Sequence, residues 1–226
     1  MKKALLALLS TSLFISTLSA ADINATNTAA PVKADAIDTG WYIGLGLGAA
    51  GYSDGDMGKD FDNYEVQVDQ KSNFGVKLYA GYKFNSIVAV EASYINYGSF
   101  SYKAAGSTTA DVNTKVSPAT LNVMANLGYD FLNDQLRPFA LVGLGYVNFG
   151  QSSNPSHEVY STDNGAALVI GTGLEYTPSI FHGIGFRFTI EQDTAFVVQS
   201  YDDPTKDDKT YANRLALISL GVNYKF

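Results

Sequence analysis

Residues 73–94 read NFGVKLYAGYKFNSIVAVEASY, two runs of alternating polarity joined at Phe84-Asn85-Ser86. In the first run Phe74, Val76, Leu78, Ala80, Tyr82 and Phe84 share one parity, and Gly75, Lys77, Tyr79, Gly81 and Lys83 share the other. In the second, Val88, Val90, Ala92 and Tyr94 alternate with Ala89, Glu91 and Ser93. Successive side chains of a strand point to opposite faces, so a period of two describes a hairpin with one apolar face and one small or polar face. The charges all lie on the second face. A soluble barrel buries its apolar side, whereas here the wide, aromatic-rich side calls for lipid outside and a polar lumen within.

The same pattern extends in both directions. Ile184, Phe186, Phe188 and Ile190 alternate with Gly185, Arg187, Thr189 and Glu191, and Ile218, Leu220, Val222, Tyr224 and Phe226 alternate with Leu217, Ser219, Gly221, Asn223 and Lys225. Eight segments can be written as strands, over 41–52, 73–84, 86–98, 116–130, 136–149, 164–176, 183–194 and 211–226. Connections after the first, third, fifth and seventh are long, and the other three are short. Outer-membrane barrels show this asymmetry, with tight periplasmic turns and longer extracellular loops. The expected fold is therefore all-β: an eight-stranded antiparallel transmembrane barrel of up-and-down topology over residues 40–226, closed because an open edge in hydrocarbon leaves backbone groups unpaired.

Bulk properties narrow the classes. Past residue 20 no apolar run reaches the roughly 20 residues of a membrane-spanning helix. The net charge of -7 opposes binding to nucleic acid, whose phosphates reward the opposite sign. Cysteine is absent, so burial and backbone pairing must hold the fold without disulfides. Lys2 and Lys3, the apolar stretch Ala4 to Ile15 and the small residues through Ser19-Ala20-Ala21 form a secretory signal peptide over 1–21, cut after Ala21 or Ala20. Residues 22–39, without periodicity, form a flexible lead-in.

The unit Gly81-Tyr82-Lys83-Phe84-Asn85-Ser86, followed by Val88-Ala89-Val90-Glu91 and Tyr94, resembles the second hairpin of the OmpA-type and OmpX-type small outer-membrane barrels. Arg137-Pro138-Phe139-Ala140, leading into a glycine-rich strand, resembles theirs too. The likeness runs from Trp41 to Phe226 and implies the outer membrane of a Gram-negative bacterium, with outer-membrane lipid and lipopolysaccharide as surroundings. The periplasmic peptidoglycan-binding domain of full-length OmpA has no counterpart in this sequence, so wall anchoring is not expected. Leu220, Val222, Tyr224 and Phe226 resemble the terminal signal read by the barrel-assembly machinery, and physically they form a one-sided apolar strand able to pair along a sheet edge.

Charges that lipid would exclude, Lys77, Glu91, Glu175, Arg187 and Glu191, are aimed at the lumen as a cluster, with Lys77 diagonal to Glu91 and Glu175 near Arg187. Eight strands leave an interior just wide enough for side chains, so these charges are expected to pair and fill it. Ser156-His157-Glu158 brings a nucleophile, base and acid together in sequence, but neighbours on an extended chain point apart and cannot form a relay. His182 is expected at an exposed rim. Gly44, Gly46 and Gly48 alternate on a strand and open no helix, so they are no dinucleotide fingerprint. Asp54, Asp56, Asp60 and Asp62, and Asp202, Asp203, Asp207 and Asp208, give acidic loops; the first four offer weak oxygen ligation for calcium as the alternative to a solvated loop, in a spacing that matches no EF-hand. No catalytic, cofactor or metal residue is assigned.

Tyr52, Phe61, Tyr64, Tyr160 and Tyr201 stand among polar loop residues as candidate anchors for a partner. The expected role is a non-enzymatic barrel that stabilises the membrane and presents loops 53–72, 99–115, 150–163 and 195–210 to a host or surface ligand, as in adhesion. A narrow porin-like channel is the first alternative and a lipid-modifying enzyme the second.

Overall fold

The computed structural model describes residues 39–55, 66–68, 73–104, 115–152, 164–199 and 209–226. These contain twelve strands: β1 (Gly40–Ser53), β2 (Val66–Val68), β3 (Asn73–Lys83), β4 (Val88–Asn96), β5 (Phe100–Ala104), β6 (Lys115–Val116), β7 (Ala119–Gly128), β8 (Leu136–Asn148), β9 (Gln151–Ser152), β10 (Asn164–Tyr176), β11 (Ile184–Gln199) and β12 (Lys209–Lys225). Eight of them close into a barrel in the order β1-β12-β11-β10-β8-β7-β4-β3. Every barrel pairing is antiparallel and each strand lies beside its sequence neighbour within the barrel, which is the up-and-down topology expected.

Closure rests on β1 and β12, paired from Tyr42↔Lys225 to Ser53↔Arg214. One further bond extends this seam, where Phe226 N donates to Trp41 O at 3.0 Å. Because the ladder is complete around the ring, neither terminal strand offers an unpaired edge to lipid.

Local chemistry explains the three short connections. Between β3 and β4, Asn85 Oδ1 accepts from Ile87 N and Val88 N, both at 2.8 Å. An Asn side chain that caps its own turn in this way sets a tight reversal. The β7–β8 turn places Leu132, Asn133 and Asp134 in succession at positive φ, and the β10–β11 connection is a 3-10 turn, Ser179–Phe181, closed by His182 and Gly183 at positive φ. His182 is exposed, as expected of a rim residue.

Side-chain parity follows the sequence pattern. Trp41, Leu45, Phe74, Leu78, Tyr94, Leu144, Phe188 and Leu220 all stand on the exposed outer wall. Lys77, Tyr79, Glu91, Ser93, Arg187 and Glu191 all point into the barrel and are buried. Aromatic rings gather at the short-turn end, where Trp41 meets Tyr82 at 5.1 Å, Tyr82 meets Phe84 at 5.0 Å and Tyr224 meets Phe226 at 5.1 Å, all edge-on. Such a girdle marks the level of the lipid headgroups.

The long-loop end departs from expectation. Segments assigned to loops carry a second sheet, β2-β5-β6-β9, and β11 and β12 extend to Gln199 and from Lys209, well into the loop placed at 195–210. The expected strand 86–98 ends at Asn96, after which Gly98, at φ 77, lets the chain bend before β5. The expected strand 116–130 likewise starts at Ala119, behind Pro118. Pairing can persist above the membrane, where the outer wall no longer needs to be apolar, so the parity signal that marks strands in lipid fades there.

Deleting Phe226 should lower the yield of folded, heat-modifiable barrel in the outer membrane, because the seam loses a bond and the terminal strand its apolar end. Mobility shift on unheated gels reads this directly, and an unchanged folded fraction would rule out a role for the terminal residue in closure or assembly.

Candidate functional site

The barrel interior has three tiers. Nearest the short turns, Lys83 Nζ pairs with Asp130 Oδ2 at 2.8 Å, and Arg137 reaches the same carboxylate through Nε at 3.6 Å. Arg137 also donates from Nη1 to Asn126 Oδ1 at 2.7 Å and from Nη2 to the Ile87 carbonyl at 3.3 Å. This tier gathers two cations around one carboxylate at the short-turn end of the bore.

The middle tier is centred on Glu91, which is fully buried. Its Oε2 accepts from Arg187 Nη1 at 2.7 Å, from Tyr42 OH at 3.0 Å and from Asn126 Nδ2 at 3.3 Å. Its Oε1 lies 3.3 Å from Lys77 Nζ. Lys77 in turn donates to Glu191 Oε2, so one ammonium bridges two carboxylates. Asn122 Nδ2 lies 3.4 Å from Glu191 Oε1 and donates to Asp193 Oδ2 at 2.9 Å, and Tyr97 OH donates to that same Asp193 oxygen at 2.8 Å. The chain of contacts thus crosses the bore from β1 and β3 through β4 and β7 to β11.

Arg187 is held by more than Glu91. Its guanidinium lies 4.5 Å from the Tyr79 ring centre and 4.2 Å from that of Phe139. Two aromatic faces offset the loss of water around a buried guanidinium, whose planar cation stacks favourably on π systems. Room for the lumen tyrosines Tyr79 and Tyr42 comes from glycine on the neighbouring strand. A Cβ on Gly44 would sit 2.3 Å from the Tyr79 ring, and one on Gly81 would sit 2.4 Å from the Tyr42 ring. The glycine alternation in β1 therefore serves packing.

Above this tier the lumen turns apolar. Tyr52, Ile95, Tyr97, Phe100, Tyr102, Val116, Phe149, Val197, Tyr211 and Leu215 belong to one buried cluster that spans the loop end of the barrel and the upper sheet. Tyr52 and Tyr102 share a hydrogen bond at 2.7 Å. Burial, reinforced by the nearby Asp54 carboxylate, pushes the Tyr102 hydroxyl well above the ordinary tyrosine value, so it remains a neutral hydrogen-bonding group. A polar lock below and a hydrophobic lid above together occupy the bore.

Four of the five lumen charges expected from sequence meet here: Lys77, Glu91, Arg187 and Glu191. Glu175 is opposite Arg187 in the β10–β11 register, as expected, and is half-buried beside it, while Arg187 directs its ion pair across the bore to the fully buried Glu91. Tyr52, read from sequence as a surface anchor, is instead buried in the lid, since its parity on β1 turns it inward. Phe61, Tyr64, Tyr160, Tyr201, Ser156-His157-Glu158 and the acidic residues other than Asp54 lie outside the described residues. Asp193, Tyr97, Tyr42, Asn122 and Arg137 were missed as network members. Asp193 was legible, being the next inward position after Arg187, Thr189 and Glu191.

Comparison with known proteins agrees with this architecture. The family model for the outer membrane protein beta-barrel domain matches residues 16–226. Among solved structures, the chain resembles the outer membrane protein OprG from Pseudomonas aeruginosa, at 16% identity over 83% of this chain and 96% of that one, with a TM-score of 0.58. It also resembles the outer membrane protein AlkL, at 16% identity over 89% and 97% with a TM-score of 0.52, and Neisserial surface protein A, at 16% over 82% and 97% with a TM-score of 0.50. No curated protein matches the chain.

Glu91→Ala removes the anion shared by Lys77 and Arg187, and breaking a buried pair from one side typically costs ~3–5 kcal/mol. Equilibrium unfolding in lipid vesicles should show a loss of that order, with Glu91→Gln retaining part of it through Tyr42. Stability equal to wild type in Glu91→Ala would remove Glu91 from the centre of the network.

Proposed function

This chain belongs to the outer membrane protein beta-barrel domain family and resides in the outer membrane of a Gram-negative bacterium, and on that premise we propose that it acts without catalysis, as a sealed barrel that stabilises the membrane and carries a recognition surface at its loop end. The observation behind this reading is the filled bore. The Lys83, Asp130 and Arg137 cluster at the short-turn mouth, the Glu91-centred network at mid-height and the aromatic lid above leave side chains where a channel would need water. An eight-stranded ring has little room beyond its own side chains.

The loop end supports the recognition half of the proposal. The sheet β2-β5-β6-β9 and the long β11–β12 hairpin raise the chain above the lipid-facing wall and are anchored underneath by the buried lid. Loops on a rigid scaffold are where binding residues concentrate, because the scaffold bears the ordering cost that a free loop would have to meet. The partner is a host or environmental surface ligand reached from outside the cell. Lipid and lipopolysaccharide surround the wall, and the barrel-assembly machinery receives the Leu220, Val222, Tyr224 and Phe226 face, which is exposed along β12.

The reading excludes steady ion flow. In planar bilayers the purified barrel should show no stable conductance, and Glu91→Ala should introduce transient leaks. A steady, ion-selective current from the wild type would favour a channel. On intact cells, external protease should cut within 53–72, 99–115, 150–163 or 195–210, and cleavage confined to 84–86, 131–135 or 177–182 would mean the barrel is inverted.

A further inference from the structure

The outer wall is not uniformly bulky. On β3 and β4, Ala80 and Ala92 are directly paired, with Leu78 and Tyr94 beside them toward the loop end and Tyr82 and Val90 toward the short turns. Two adjacent small residues in a belt of Leu, Val and aromatic side chains leave a hollow. Trp41, Tyr82 and Phe84 wall its short-turn side, and the cavity measures about 400 Å³. That volume is within the range of small-molecule clefts, roughly 300–1,000 Å³.

We propose that this groove seats one acyl chain of a phospholipid from the periplasmic leaflet as a resident ligand, held more firmly than the lipid around it. Its position determines the class of occupant. The groove opens outward, into hydrocarbon, and its walls are apolar. The adjoining rings belong to the girdle that marks headgroup level, so a chain whose headgroup rests there runs up over the Tyr82 ring onto the Ala80–Ala92 floor.

Steric reasoning separates the acyl chain from a second barrel. Trp41 is 64% exposed and Phe84 49% exposed, so both stand proud at the mouth of the hollow. Another barrel presents an equally convex wall and would rest on those rings without touching the floor. An unbranched chain, one carbon wide, can bend over the Trp41–Tyr82–Phe84 rings and lie on the floor beyond them. The benefit is dispersion: an unfilled hollow deprives its lining of contacts, and each such contact is individually small but additive along a chain.

The experiment is native mass spectrometry of the mature barrel released from outer membranes in mild detergent. Wild type should retain one phospholipid per barrel. Ala92→Leu and Ala80→Leu, each filling the floor, should lower that retention at least ten-fold while gel mobility shows a folded barrel, and Leu174→Phe, on the exposed wall of β10, should leave it unchanged. Equal retention in the filled variants would overturn the proposal, as would a wild-type dimer that the filled variants dissolve, which would make a second copy the occupant. Should the filled variants fail to fold, a phospholipid with a photoreactive acyl chain decides on the wild type: labelling concentrated on residues 78–94 supports the seat, and labelling spread evenly around the belt refutes it.

Discussion

Hydrocarbon tolerates no unpaired backbone amide, and every other feature of this molecule follows from satisfying that condition. A strand in lipid must be paired on both sides, so the sheet must close, and β1 must meet β12. Closure with eight strands then fixes the width of the bore. Tilted strands wrap a narrow tube whose inward residues meet across the axis, and this is how positions as distant in sequence as Lys77 and Glu191 come into contact. Polarity outside and inside is dictated by the same geometry. Alternate residues face lipid and must be apolar, leaving the remaining parity to fill the tube.

What fills it is arranged by depth. Charged groups occupy the short-turn end and mid-height, where Lys83, Asp130 and Arg137 and then Arg187, Glu91, Lys77 and Glu191 form linked pairs. Such pairs gain little over an apolar filling of the same shape, but they penalise any arrangement that leaves one member alone. They therefore lock the register: sliding a strand by one residue would send Glu91 or Arg187 into lipid. At the loop end the wall emerges from the membrane and the filling becomes that of a soluble core, with Tyr52, Phe100, Tyr102 and Phe149 packed together. The upper sheet gains its anchorage from that core.

Much of this was legible in the sequence, and the boundary of legibility coincides with the membrane. Where lipid enforces alternation, as in 73–84 and 183–194, the strands and their faces could be read residue by residue. The inward charges could be named for the same reason. Their partners were harder, because cross-bore contacts depend on tilt and side-chain reach: Arg187 bypasses Glu175, its register neighbour, for Glu91 on the far wall. Above the membrane the constraint lifts and so does the signal. The short strands β2, β5, β6 and β9 carry no sustained alternation, and Tyr52, on a stretch that looks polar, proves to be core. The small-residue floor at Ala80 and Ala92 is visible in the sequence only as two alanines, since its significance depends on the β3–β4 register.

The interior charges act as one lock, in which Arg187 and Glu91 pair across the bore at 2.7 Å. A double-mutant cycle on unfolding free energy in lipid vesicles, using Arg187→Met, Glu91→Leu and the combined variant, tests it. Each single change should cost ~3–5 kcal/mol by stranding the other charge, and the double should cost less than the two together by about 1–3 kcal/mol. Strict additivity would mean that the two residues contribute independently and that the barrel is held by its ladder and its lid alone.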